Sequence, residues 1–115
     1  MQINKLLGTC LLCAWVWGQQ ANAQESFKEG DTTRNMITYA PEGLPYNPPL
    51  VISLHGLNQD ADYQKGQANW EAVADTAKFV VVYPNGVNKA WDISCATDIK
   101  FLEAIIDTMS NRYHI

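Results

Sequence analysis

The stretch Leu50-Val51-Ile52-Ser53-Leu54-His55-Gly56-Leu57 decides the fold class. Its opening residues form a nearly continuous apolar run that stops abruptly at a His-Gly pair. A strand on a half-solvated sheet would alternate apolar and polar side chains. A run without alternation predicts a strand buried on both faces, as in a parallel sheet covered by helices. A second run, Phe79-Val80-Val81-Val82-Tyr83, is rich in β-branched residues and closes on Pro84-Asn85-Gly86, a turn signal. Between them, Trp70, Val73, Ala74 and Ala77 recur at spacings of three and four, which predicts an amphipathic helix over 69–78. Leu57 to Gln67 is polar and reads as a loop. Strand, helix, strand is the unit of a doubly wound α/β sheet.

Upstream, Met36, Ile37 and Tyr39 mark a strand over 34–40, closed by Pro41. The connector that follows carries Pro45, Pro48 and Pro49. Proline fixes φ and withholds an amide donor, so no central strand can run there. The strands on either side of this connector are expected to pair antiparallel. Gln24 to Thr33 reads as a loose polar leader. Downstream, Val87 to Ala96 is a loop carrying Trp91 and Cys95. A helix follows over Thr97 to Asn111, with Ile99, Leu102, Ile105 or Ile106, and Met109 on one face. Asp98 in its first turn and Arg112 at its end complement the helix dipole. A doubly wound sheet expects another strand after this helix. Without one, each large apolar side chain left in water forfeits about 1.5–3 kcal/mol, against total stabilities of about 5–15 kcal/mol. The sheet is therefore expected to be incomplete, the opening part of a larger domain.

The first residues read as an address. Lys5 precedes a mostly apolar run from Leu6 to Gly18, and Ala21-Asn22-Ala23 supplies a small-x-small end. These are the three regions of a secretory signal peptide, with cleavage expected after Ala23. The run is too short to span a bilayer well. Leu7-Gly8-Thr9 before Cys10 fits a lipidation signal poorly. The domain plan is thus a signal peptide at 1–23, a polar leader at 24–33 and the first part of an α/β domain at 34–115. The product is expected outside the cytosol, extracellular or periplasmic, with no membrane association after cleavage. The chain has 115 residues and a formal charge of −4; loss of Lys5 makes the remainder one unit more acidic. This balance argues against nucleic acid, whose phosphates call for a basic surface. Of the three cysteines, only Cys95 would survive cleavage. It reads either as a buried free thiol or as half of a disulfide whose partner lies outside these residues.

His55-Gly56 directly after a buried strand is the informative chemistry. Ligands of open α/β sheets collect outside the carboxyl ends of the strands, and a turn there presents backbone amides to a developing oxyanion. Glycine lets the chain turn with no Cβ in the way. By itself the pair also fits an ordinary tight turn. In context, Pro48 to Gly56 resembles the opening of secreted α/β-hydrolase esterases, specifically the polyhydroxybutyrate depolymerase and feruloyl esterase group. Arg34 to Pro41, Gln59 to Tyr63, Trp70 with Ala74-Asp75, Phe79 to Pro84, Trp91, and Asp98 to Ile106 with Phe101 and Leu102 are similar to that family's pieces in the same order. Arg112 to Ile115 resembles the segment before its nucleophile strand. The resemblance covers about 34–115 and implies hydrolysis of polyhydroxyalkanoate, feruloyl or acetyl esters, some of them polymeric, without a cofactor or metal.

The family's nucleophile elbow, Gly-x-Ser-x-Gly, is missing. Ser26, Ser53, Ser94 and Ser110 all lack the flanking glycines. In this fold the base follows nucleophile and acid along the chain, so His55 is not assigned as base, nor Asp60, Asp62, Asp92 or Asp98 as acid. The resemblance therefore carries over one catalytic group, the Leu57 backbone N–H as oxyanion donor, with Gly56 shaping the turn and His55 supporting it. Trp91 either lines the site or packs. The chain alone is expected to be inactive. Two rivals stand beside this reading: a secreted non-catalytic module that binds a polymer or partner, and a peptidase of the same fold. Outside the expected 1–23 signal, phosphate-binding glycine loops, paired-cysteine metal sites and His-x-x-x-His motifs are absent from the sequence, and Asp60 with Asp62 reads as a solvated loop face.

Overall fold

The computed structural model describes residues 23–115; apart from Ala23, the expected signal peptide lies outside the described residues. The chain order is β1 (Ala23–Glu29), β2 (Thr32–Tyr39), β3 (Leu50–Ile52), α1 (Ala61–Ala68), α2 (Trp70–Ala77), β4 (Val80–Pro84) and α3 (Thr97–Tyr113). The strands form one sheet in the order β1-β2-β4-β3. β3 and β4 run parallel, with Val51 opposite Val81. β2 runs antiparallel to β4, with Ile37 opposite Tyr83. This is the expected α/β architecture, with helices on both faces of a partial mixed sheet.

The buried central strand follows from its composition. Every residue of β4 is buried, and its alternate side chains serve opposite layers. Val81 and Tyr83 join Ile37, Tyr39, Ala61 and Ala74 in a core under α1 and α2. Val80 and Val82 join Met36, Phe101, Ile105 and Met109 in a core under α3. Because both faces are apolar, β4 cannot alternate in sequence.

Four expectations are corrected. The strands flanking the proline connector do not pair with each other, because β4 inserts between β2 and β3. Residues 24–33 are not a loose leader. They form β1 and a tight turn, paired with β2 from Ala23 opposite Thr38 to Glu29 opposite Thr32. Gly30 takes φ 58° in the two-residue turn, a conformation such hairpins demand of their first position. The stretch Leu57 to Gln67 contains α1. Asp60 caps it by accepting from the Tyr63 N–H at 2.9 Å, which satisfies an otherwise orphaned donor. Asn69, at φ 47°, ends α1 and begins α2. Finally, α3 buries Asp98, Phe101, Ile105 and Met109, whereas Ile99 and Ile106 are exposed. The stripe is set by Phe101 and by the ion pair of Asp98, so it lies one position away from Ile99.

Candidate functional site

Parallel β3 and β4 bring their carboxyl ends to the same edge of the sheet, and antiparallel β2 begins there. The edge therefore gathers the loop after β3 (His55-Gly56-Leu57), the loop after β4 (Asn85-Gly86) and Arg34 of β2. The ladder continues one step past β3, where the Ser53 N–H donates to the Val82 carbonyl at 2.9 Å. The Ser53 side chain is buried beneath this loop and accepts from Gln64 Nε2 at 2.9 Å and Trp70 Nε1 at 3.2 Å. It fastens α1 and α2 to the strand end.

His55 is 3% exposed. Its Nδ1 lies 2.7 Å from the Gly56 carbonyl, and its Nε2 accepts from the Gly86 N–H at 3.0 Å. Trp91 Nε1 donates to the His55 carbonyl at 2.8 Å, and the two rings lie 4.7 Å apart. The Gly56 N–H is taken by Gln59 Oε1 at 2.8 Å. The Asn58 N–H donates to the Lys89 carbonyl, and the Gln59 N–H to the Gly56 carbonyl. The Leu57 N–H stands between these committed donors without an acceptor among the described residues, and Leu57 itself is 73% exposed. The structure thus brings His55, Gly56 and Leu57 together, with one backbone donor left open to solvent.

The requirement for glycine at 56 is milder than expected. A Cβ there would meet Gln59 Oε1 at 2.9 Å, the end of a movable side chain. The stringent glycine is Gly86, where a Cβ would fall 2.2 Å from the Ala90 carbonyl oxygen. That oxygen belongs to a tight turn, Val87–Ala90, with Asn88 and Lys89 at φ 51° and 59°.

Behind Trp91 lies a cavity of about 320 Å³ lined by Val87, Ala90, Trp91, Asp92, Thr97 and Asp98. Trp91 therefore both packs and lines. Asp98 is buried and accepts from Arg34 Nη2 at 2.7 Å and from the Asp92 N–H. Arg34, itself 3% exposed, lies 3.9 Å over the Phe101 ring. Asp92 accepts from the Ser94 and Cys95 amides, which hold its carboxyl below the usual carboxylate range. Cys95 is exposed and pairs with no other cysteine among the described residues, which corrects the buried-thiol alternative. Asp60 also sits below the usual range, chiefly because of the Tyr63 N–H, and pairs with Lys89 at 3.6 Å. It belongs to the helix cap. No group of three His, Cys, Asp or Glu side chains placed to hold a metal occurs among the described residues. No helix among them is long and apolar enough to cross a membrane.

Sequence reasoning missed Gly86 and the Arg34–Asp98 pair. Pro-Asn-Gly signalled only a turn. Asp98 looked like a dipole partner because nothing in the sequence places Arg34 beside it.

No protein-family model matches the chain. It is 42% identical over 90 residues, 76% of its length, to a bifunctional acetylxylan esterase/xylanase from Neocallimastix patriciarum, of which it covers 13%. The chain belongs to a family of carboxylic ester hydrolases. A poly(3-hydroxyalkanoate) depolymerase C from Paucimonas lemoignei is another relative, 40% identical over 62 residues, with 50% of the chain and 15% of the relative covered. A feruloyl esterase B from Thermothelomyces thermophilus is 26% identical over 95 residues, with 81% and 33% covered. Among solved structures, an acetyl xylan esterase from Aspergillus awamori superposes with a TM-score of 0.66 at 19% identity, covering 80% of this chain and 38% of that one. The esterase fold expected from sequence is therefore the observed one. The chain spans between 13% and 33% of the length of these three relatives.

Proposed function

We propose that these residues form the oxyanion side of a secreted serine esterase. The Leu57 N–H donates to the tetrahedral intermediate of acyl transfer, Gly56 shapes its turn, and His55 supports that turn without acting as base. The observation that carries this reading is the open Leu57 amide at the carboxyl end of β3, in a chain homologous to ester hydrolases. Its neighbours spend their donors internally, whereas a preorganised unbonded N–H beside a strand end is the element that acyl transfer uses.

The substrate class is a carboxylic ester, acetyl, feruloyl or polyhydroxyalkanoate, some of them polymeric. The reaction also needs a nucleophile, an acid and a base that residues 1–115 do not supply, since no serine here has the elbow's flanking glycines. The 115-residue chain alone is thus inactive. Export by the 1–23 signal would place it outside the cytosol.

Two assays test this. Purified chain incubated with nitrophenyl acetate gives no turnover above buffer; robust turnover abolished by a serine-directed phosphonate would overturn the assignment of missing groups. In a chimera, residues 34–115 replace the matching segment of the acetylxylan esterase relative. Ester turnover persists if the segment is an esterase part. A folded but inactive chimera would favour the non-catalytic binding module.

A further inference from the structure

We infer that the buried His55 is a latch, held as one neutral tautomer, that positions the Leu57 amide from the β4 side of the site, with Gly86 as its obligatory partner. The protonation state follows from its partners. The Gly86 N–H can only donate, so Nε2 at 3.0 Å must accept and carries no proton. The Gly56 carbonyl can only accept, so Nδ1 at 2.7 Å must donate and carries the proton. Both contacts demand the same neutral Nδ1–H ring.

The latch has three further fastenings. Trp91 holds the His55 carbonyl at 2.8 Å. The Asn58 N–H reaches the Lys89 carbonyl at 2.8 Å. Gly86 admits no Cβ because the Ala90 carbonyl occupies that place. The residues on both sides of Leu57 are therefore tied to the single 85–91 segment, and the donor between them inherits its position from that segment. His55 and Gly86 are positioning residues, since neither offers the open donor.

A second proton on Nε2 would set two donors face to face and open the latch. The ionisable groups around the ring are Asp60, whose carboxylate interacts with His55, and Lys89, which pairs with Asp60; Asp92 and Asp98 stand behind Trp91. The catalytic consequence of the latch rests on the oxyanion reading of Leu57. Its existence does not, and no ester enters the measurement that tests it.

That measurement is nitrogen-15 NMR of the 115-residue chain, which has two histidines; His114→Gln assigns the His55 ring. The neutral ring is expected to carry its proton on Nδ1. Protonating His55 should lower the Gly86 protection factor, its exchange relative to the intrinsic rate at the same pH, by about five- to tenfold, the loss of one hydrogen bond, and shift the Leu57 amide resonance. His55→Gln can still accept from Gly86 and cannot titrate, so it should keep Gly86 protected through the same pH range. A neutral ring protonated on Nε2, Gly86 exchange indifferent to His55 protonation, or the same acid-induced loss in His55→Gln would each overturn the latch. If His55→Gln fails to fold, the wild-type tautomer and pH titration decide alone.

Discussion

The two faces of the sheet are fastened to their helices by opposite chemistry. On the α1 and α2 face the fasteners are neutral hydroxyls, Ser53 to both helices and two phenols to α2. Tyr39 donates to Asp75 at 2.5 Å, and Tyr83 to Glu71 at 3.1 Å. Under α3 they are ion pairs, one at each end of the helix. Arg34 meets Asp98 at 2.7 Å, and Arg112 clasps Glu25 through two hydrogen bonds of 2.6 and 2.8 Å. The difference matters because a phenol that loses its partner remains neutral, whereas a buried guanidinium does not.

The largest effect is therefore expected on the α3 face. Asp98→Ala strands the buried Arg34 and should cost about 3–5 kcal/mol in urea unfolding. Arg34 is imperfectly satisfied even in the native fold, since its Nε and Nη1 have no hydrogen-bond partner among the described residues. The double replacement Arg34→Met, Asp98→Leu should accordingly recover most of that loss, because well-packed apolar residues can match a buried ion pair. On the opposite face, Tyr83→Phe should cost only about 0.5–1.5 kcal/mol, because Glu71, with its side chain 17% exposed, can exchange the phenol for water.

pH sharpens the same contrast. Burial and Asp75 push the Tyr39 hydroxyl up to about 12 from its ordinary 10.0, and burial and Glu71 raise Tyr83 as well. The unfolded chain releases these protons first. Stability should thus fall as pH rises from 10 towards 12, with the Tyr39 and Tyr83 hydroxyls ionising only on unfolding. The α3 face responds to acid. Hydrogen bonds from Arg112 hold the Glu25 carboxyl below its ordinary 4.5. Its contribution is present above that value and is lost as pH falls through the depressed one, because the unfolded state then binds the proton first. Thermal melts should show this as the smallest of these effects, removed in Arg112→Ala.

The same contrast explains what was legible in the sequence. β4 and β3 could be read because strands buried on both faces write continuous apolar runs. β1 could not. Its half-buried face is Glu25, Phe27 and Glu29, and two of those look solvent-facing until Arg112 and Arg34 come to meet them across the fold. α1 was hidden because it buries only Ala61, although Asp60 offered a cap signal. The insertion of β4 between β2 and β3 is non-local and leaves no local mark. At the site, His55, Gly56 and Leu57 were visible as a motif. Gly86 and Trp91, which hold them, act across 31 and 36 positions of the chain.

The central claim is that the Leu57 backbone N–H is an oxyanion donor, and removing that one hydrogen tests it most directly. In the esterase chimera carrying residues 34–115, Leu57→Ala keeps the N–H and Leu57→Pro deletes it. Near-parental kcat is expected for Leu57→Ala and a loss of about 10²–10³ for Leu57→Pro in a protein that still folds. Equal turnover in the two folded variants would contradict it.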